Sequence, residues 1–299
     1  MTTTIVLHPI IKALCAASTF LGIQNPAPHE WRPFNELQHQ LIQQHEHSWN
    51  ELSHFSDKEL KGFASKDFKQ LNEMLRKEGF SIQLDESLAK DDNFGAVSIL
   101  DILLSWKYKG QETIVKSAHT DQHYPAVLME NDENYNGFCV FSSHNHDNPI
   151  LRLKTKTGDV AWITIADKKL ENMALLERIQ EIGKGGLTKQ HGYTQARFPM
   201  VNLDREEEIS WLENMEHPTS GYFIAQALQQ TKFKMNHEGA HVKSAVAIGF
   251  ERLAMPAPSK KIVIDQPFYL WIERPGVSDP YFAAYICEEN WQNPENLEL

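Results

Sequence analysis

The stretch IAQALQQTKFKMNHEGAHVKSAVAIGFERLAM, Ile224–Met255, decides how this chain is read. Its first half is a strand-like run, and its second half is long, weakly apolar, rich in small residues and free of turn signals. Counted by twos from Ala240, one face of an extended chain carries Ala240, Val242, Ser244, Val246 and Ile248. The other carries His241, Lys243, Ala245, Ala247 and Gly249. The first face has no charge and no aromatic ring, so it can enter a sheet already packed on one side. A lysine buried without a partner would cost several kcal/mol, and Lys243 stands at the end that stays near solvent. Val242, Ala245, Val246, Gly249 and Leu253 also keep a helical spacing, so pattern alone leaves strand, helix and loop open.

Around this segment the chain has 299 residues and 41% hydrophobic content, enough for a sizeable core. Its net charge of −11 gives an acidic field with no compensating basic patch, which excludes nucleic acid as a first partner. Three distant cysteines, Cys15, Cys139 and Cys287, read as free thiols in a reducing compartment. The apolar stretch Ile10–Ile23 carries Lys12, follows no basic segment and is too short for a bilayer. It reads as a buried helix, and a cytoplasmic location or export by an unconventional route is expected.

Residues 1–95 lean helical. HPIIKALCAASTFLG ends at Gly22, EWRPFNELQHQLIQQHEHSWNEL places Phe34, Leu37, Leu41 and Ile42 at helical spacing, and KDFKQLNEMLRKEGF ends at Gly79. Residues 96–238 are sheet-rich: SILDILLSWKYKG, HYPAVLMEN, FCVFSS, a hairpin turning at Thr157–Asp159, and YTQARFPMVNL after one helix. The acidic run Asp204–Glu208 reads as a solvated helix start, and the acidic C-terminal end as a frayed tail. Residues 259–299 hold two further strands, so the chain reads as one α+β domain with 239–258 as a loop.

Several segments, taken in order, resemble the serpins. LRLKTKTGDVAWITIADKKLENMALLERI is similar to the family's strand, Gly-Asp turn, strand and helix; ARFPMVNLDREEEISWLENM to its Pro-x-Phe strand and short helix. IAQALQQTKFKMNHEGAHVKSAVA resembles the strand and hinge before the reactive loop, and VIDQPFYLWIERPGVSDPYFAAYI the closing strands. LHPIIKALCAASTFLG and ILLSWKYKG are fainter matches, with His8 where the family has serine. Gly239 and Pro267 lie 28 residues apart, within the family's spacing. Ala240, Val242, Lys243 and Ala284 depart from its pattern, and the short chain implies that some middle helices are missing.

The resemblance implies a protease inhibitor, not an enzyme, working as a suicide substrate. The hinge would be Glu238, Gly239, Ala240, His241, Val242, Lys243, Ser244 and Ala245. The cleaved bond would be Leu253–Ala254, with Arg252–Leu253 as the alternative. The expected partner is a serine or cysteine protease, with no cofactor, nucleic acid or membrane, and the chain acting as a monomer. The rival is a non-inhibitory binding protein on the same fold that holds a partner or a metal, such as an exported bacterial effector. For a metal the candidates are His119 and His123 in HTDQH and His144 and His146 in SHNHD, beside Asp121 and Asp147. These read as histidines in solvated turns, and His45-Glu46-His47 as a polar helix face. No Gly-x-Ser-x-Gly elbow, His-Glu-x-x-His pair or phosphate loop occurs.

Overall fold

Two of the helices start where the sequence supplies a side-chain cap. The Asn35 side chain accepts from the Gln38 amide and that of Asp67 from the Gln70 amide. The computed structural model describes residues 1–90, 93–131, 137–240 and 260–298. In chain order, β1 (Thr3–Ile5) leads into α1 (Leu7–Phe20), α2 (Glu36–Gln44) and α3 (His47–Glu51). Then come β2 (Leu60–Ser65), α4 (Phe68–Lys77), β3 (Gly95–Leu100), β4 (Leu104–Ser105), β5 (Gln111–Lys116) and β6 (His123–Glu130). A meander of β7 (Phe138–Ser143), β8 (His146–Lys154) and β9 (Val160–Ile165) follows, with α5 (Asn172–Lys184) after it. β10 (Thr188–Gln190), β11 (Tyr193–Pro199), β12 (Val201–Glu208), β13 (Glu216–His217) and β14 (Tyr222–Phe223) come next. The last strands are β15 (Leu228–Met235), β16 (Gly239–Ala240), β17 (Lys260–Val263), β18 (Phe268–Glu273) and β19 (Phe282–Ile286).

The architecture is α+β. A seven-stranded sheet in the order β1-β19-β18-β9-β8-β7-β10 carries the core, and a four-stranded sheet, β17-β11-β6-β5, lies beside it. One face of the large sheet, with Ile150, Trp162, Tyr269 and Trp271, packs against α1, α2 and α5. The opposite face contributes Leu151, Leu153, Ile163 and Leu270 to a second cluster, shared with β6, β11, β12 and β15. Two short ladders, β2–β3 and β12–β15, stand apart from both sheets.

Several expectations needed correcting. Phe34 precedes the Asn35 cap and is exposed, and the expected long helix splits at His45–Glu46 into α2 and α3. YTQARFPMVNL breaks at Met200, where the chain leaves the four-stranded sheet for β12. The run Asp204–Glu208 is strand, because pairing with β15 sets Asp204 opposite Lys232, and the two form an ion pair at 2.8 Å. The C-terminal end is docked: Trp291 and Leu297 are buried. Among the described residues no disulfide joins Cys15, Cys139 or Cys287.

Candidate functional site

β3 is packed on both faces. Val97 and Ile99 cluster with Leu71 and Leu75 of α4, while Ala96 sits against the group that holds Ile10, Ile11 and Leu14 of α1. β15 alternates strictly, burying Gln229, Thr231, Phe233 and Met235. The nitrogen of the buried Gln229 amide is satisfied, because Nε2 donates to Thr4 Oγ1 and Thr231 Oγ1, both at 3.1 Å. Each strand has, among the described residues, a ladder partner on one side only, β2 for β3 and β12 for β15. Among the described residues no ladder joins β3 to β15. Between them lies a cleft of about 1100 Å³, with Val6 and, from α1, Ile10 and Ala13 in its wall. An unpaired strand edge is normally a liability that proteins cover, and here two such edges face one cleft.

The segment after α4 reaches across to β15. The Ser81 and Ile82 amides donate to Gln230 Oε1 at 2.7 and 3.2 Å, and the Asp85 amide donates to Gln226 Oε1 at 2.9 Å. Phe80, Ile82 and Leu84 pack on the Val97–Ile99 cluster, so this strap covers the α4 side of the cleft.

Beyond Asp101, which lines one end of the cleft, the chain forms β4 and meets the segment after β15. β16 pairs antiparallel with β4, Gly239 opposite Ser105 and Ala240 opposite Leu104. The Trp106 amide donates to Glu238 O at 3.3 Å, its buried indole Nε1 to Asn236 O at 3.0 Å, and the Gly110 amide to His237 O at 2.7 Å. Gly239 has φ +154°, and a Cβ there would sit 2.3 Å from Leu104 O. No side chain fits. Gly239→Ala is therefore expected to unseat β16 from β4 at a cost of about 1–3 kcal/mol. The measurement is the denaturation midpoint together with hydrogen exchange, in which the Trp106 and Gly110 amides should lose protection.

Of the expected hinge residues, Gly239 and Ala240 form β16 and Glu238 directly precedes it. His241, Val242, Lys243, Ser244 and Ala245 lie outside the described residues, as do Arg252, Leu253 and Ala254 of the expected cleavage site. The candidate metal histidines do not converge. His119, His123 and His144 are exposed. His146 was expected in a solvated turn but is buried, with Nε2 2.9 Å from Thr164 Oγ1, and burial holds its pKa below the ordinary histidine value. His45 is likewise no polar helix face: it is 1% exposed and contacts Asp279, a residue the sequence reading did not single out. Burial alone would push the Asp279 carboxyl up, but the hydrogen bonds from His45 and Ser48 hold it at about 2.

No family model and no curated sequence matches the chain. Solved structures do. A thermophilic serpin, Tengpin, in its native state aligns at TM-score 0.59 and 10% identity, covering 96% of this chain and 88% of its own. A highly specific serpin of the insect Tenebrio molitor aligns at 0.55 and 14%, covering 95% and 91%. Thyroxine-binding globulin in complex with thyroxine aligns at 0.54 and 11%, covering 98% and 93%. The chain has the serpin fold. At these identities the likeness extends to the fold and no further.

Proposed function

We propose that this protein is a serpin-like protease inhibitor whose 239–258 loop, once cut, becomes a strand between β3 and β15. The observation that carries the reading is the cleft with an unpaired edge on either side, together with the hinge register at its end. Gly239 opposite Ser105 and Ala240 opposite Leu104 are the first two rungs of a ladder that runs back toward β3. Continued in the same register, Lys243 would fall opposite Asp101, Ser244 opposite Leu100, Ala245 opposite Ile99, Val246 opposite Ser98, Ala247 opposite Val97 and Ile248 opposite Ala96. Paired residues share a sheet face. Val246 and Ile248 would thus turn toward α1, and Ala245 and Ala247 toward α4 and the strap, where little room remains. Lys243 would meet the exposed Asp101 carboxylate, near β16, instead of an apolar wall.

In this reading the target protease supplies all the catalysis. Its serine or cysteine attacks the Leu253 carbonyl, the Leu253–Ala254 peptide bond breaks, and the new amine leaves on the Ala254 side. The acyl-enzyme is then carried away as the loop enters the cleft, before water completes hydrolysis. Leucine before the cut bond suits a protease with an apolar specificity pocket; cleavage after Arg252 would call for an acidic one. The test is to mix the protein with proteases of both specificities and look on a denaturing gel for a covalent complex. A complex with the apolar-specific enzyme supports the reading, and its retention in Arg252→Ala separates the two bonds. Clean cleavage with no complex from either enzyme overturns inhibition and favours a binding role, such as the thyroxine-binding relative shows on this fold.

A further inference from the structure

Three elements distant in sequence bring histidine and carboxylate together behind the cleft: the junction of α2 with α3, the β18–β19 connection, and the first turn of α1. His45 Nδ1 lies 2.7 Å from Asp279 Oδ2 and His47 Nε2 lies 2.9 Å from the same oxygen. Ser48 Oγ also donates to that oxygen at 2.7 Å, and Gln180 Nε2 of α5 donates to Oδ1 at 2.8 Å. A single carboxylate oxygen, with two lone pairs, thus faces three would-be donors. The crowding is relieved if a cation stands where the two imidazoles and the carboxylate converge. Each ring nitrogen then offers its lone pair to the ion, and Oδ2 keeps Ser48 as its one donor.

The surroundings point the same way. His8 is fully buried, and among the described residues neither ring nitrogen has a hydrogen-bond partner; Glu51 Oε2, 4.0 Å from His8 Nε2, is a buried atom without one as well. Buried polar atoms are rarely left without partners. We propose that His45, His47 and Asp279 bind a divalent transition metal of the zinc class, with water as the fourth ligand beside His8 and Glu51. These three residues offer one atom each, all within 4.8 Å of one another. Two imidazoles and one carboxylate without sulfur form a donor set that suits zinc or cobalt and not the all-oxygen preference of calcium or magnesium. Gln180 and Ser48 hold the carboxylate from behind, as outer partners of metal ligands do. His47, whose side chain is 41% exposed, gives the ion a route in from solvent.

The test uses the whole protein, stripped with a chelator and titrated with zinc chloride by calorimetry and thermal melting. The expected result is one saturable site and, at a hundredfold excess of zinc over Kd, a melting temperature higher by about 5 °C. Cobalt in place of zinc should give the visible absorption bands of a four-coordinate site. His47→Gln, at a half-exposed position, is expected to fold like the parent and to weaken binding at least about tenfold. His119→Gln/His123→Gln, which removes two exposed histidines elsewhere, should leave the titration unchanged. Absence of saturable binding by the parent protein, or binding that survives His47→Gln but is lost in the His119/His123 variant, overturns the assignment.

Discussion

One proteolytic cut within residues 241–258 is expected to raise the melting temperature by about 20 °C instead of lowering it. A nick in an ordinary loop removes a chain constraint and gives little or no stabilisation. Continued past Gly239 and Ala240 in the proposed inserted state, the same register would carry nine further residues, 241–249, down to the level of Gly95. A strand placed between two open edges would add on the order of ten net backbone hydrogen bonds at about 1 kcal/mol each. At roughly 2 °C per kcal/mol for a chain of this size, the shift is about 20 °C. Calorimetry before and after limited proteolysis measures it. Ala245→Glu is the matched control, because in the inserted state it would set a carboxylate opposite Ile99, which is 3% exposed. Burying that charge unpaired costs several kcal/mol, so the variant should be cut at the parent rate yet show little of the rise and form no stable complex. A full rise in Ala245→Glu, or none in the parent, would sink the insertion account.

What the sequence disclosed was local or periodic. Helix α4 was legible from its apolar spacing and closing glycine, the β8–β9 hairpin from its turn, and β15 as a strand-like run before the segment that resembles a hinge. The hinge reading itself rests on that resemblance, because small residues at alternate positions fit strand, helix and loop alike. Partnerships made over long distances were hidden. Nothing in HEHS announces Asp279, 234 residues away from His45, because a single aspartate before a proline carries no periodic signal. The strap across the cleft was equally invisible, since its hold on β15 comes from the side chains of Gln226 and Gln230, which read as ordinary polar strand positions. Asp204–Glu208 misled for a related reason. Its acidic run favours a helix start locally, but the antiparallel partner, with Lys232 opposite Asp204, makes strand the better state.

The cleft persists because its two edges are fastened to the body of the protein by separate anchors. On the β12–β15 side, Glu207 accepts from the Thr4 amide at 3.0 Å and Gln229 bonds Thr4 and Thr231. On the β2–β3 side the anchor is Arg274, at the end of β18. Its Nε donates to Asp159 Oδ1 at 3.0 Å and its Nη2 to Glu59 Oε1 at 2.7 Å, while Glu59 O accepts from the Asp101 amide beyond β3. The guanidinium also lies over the Phe55 ring, 4.8 Å from its centroid. Burial disfavours the Arg274 cation, yet its two carboxylate partners more than offset that and raise its pKa. Arg274→Ala would strand Asp159, which is 3% exposed, without a counter-ion. Loss of one partner of such a pair costs about 3–5 kcal/mol, and the denaturant midpoint should fall accordingly with the slope unchanged. Arg274→Met combined with Asp159→Asn, which removes both charges, should recover much of the loss. The same contact sets an acid limit. The hydrogen bond from Arg274 holds the Glu59 carboxyl at about 2, below its ordinary 4.5. Its contribution is therefore complete above about pH 4.5 and is lost as the pH falls toward 2. Arg274→Ala should flatten that part of the stability profile, and an unchanged acid limb in the variant would show that the anchor lies elsewhere.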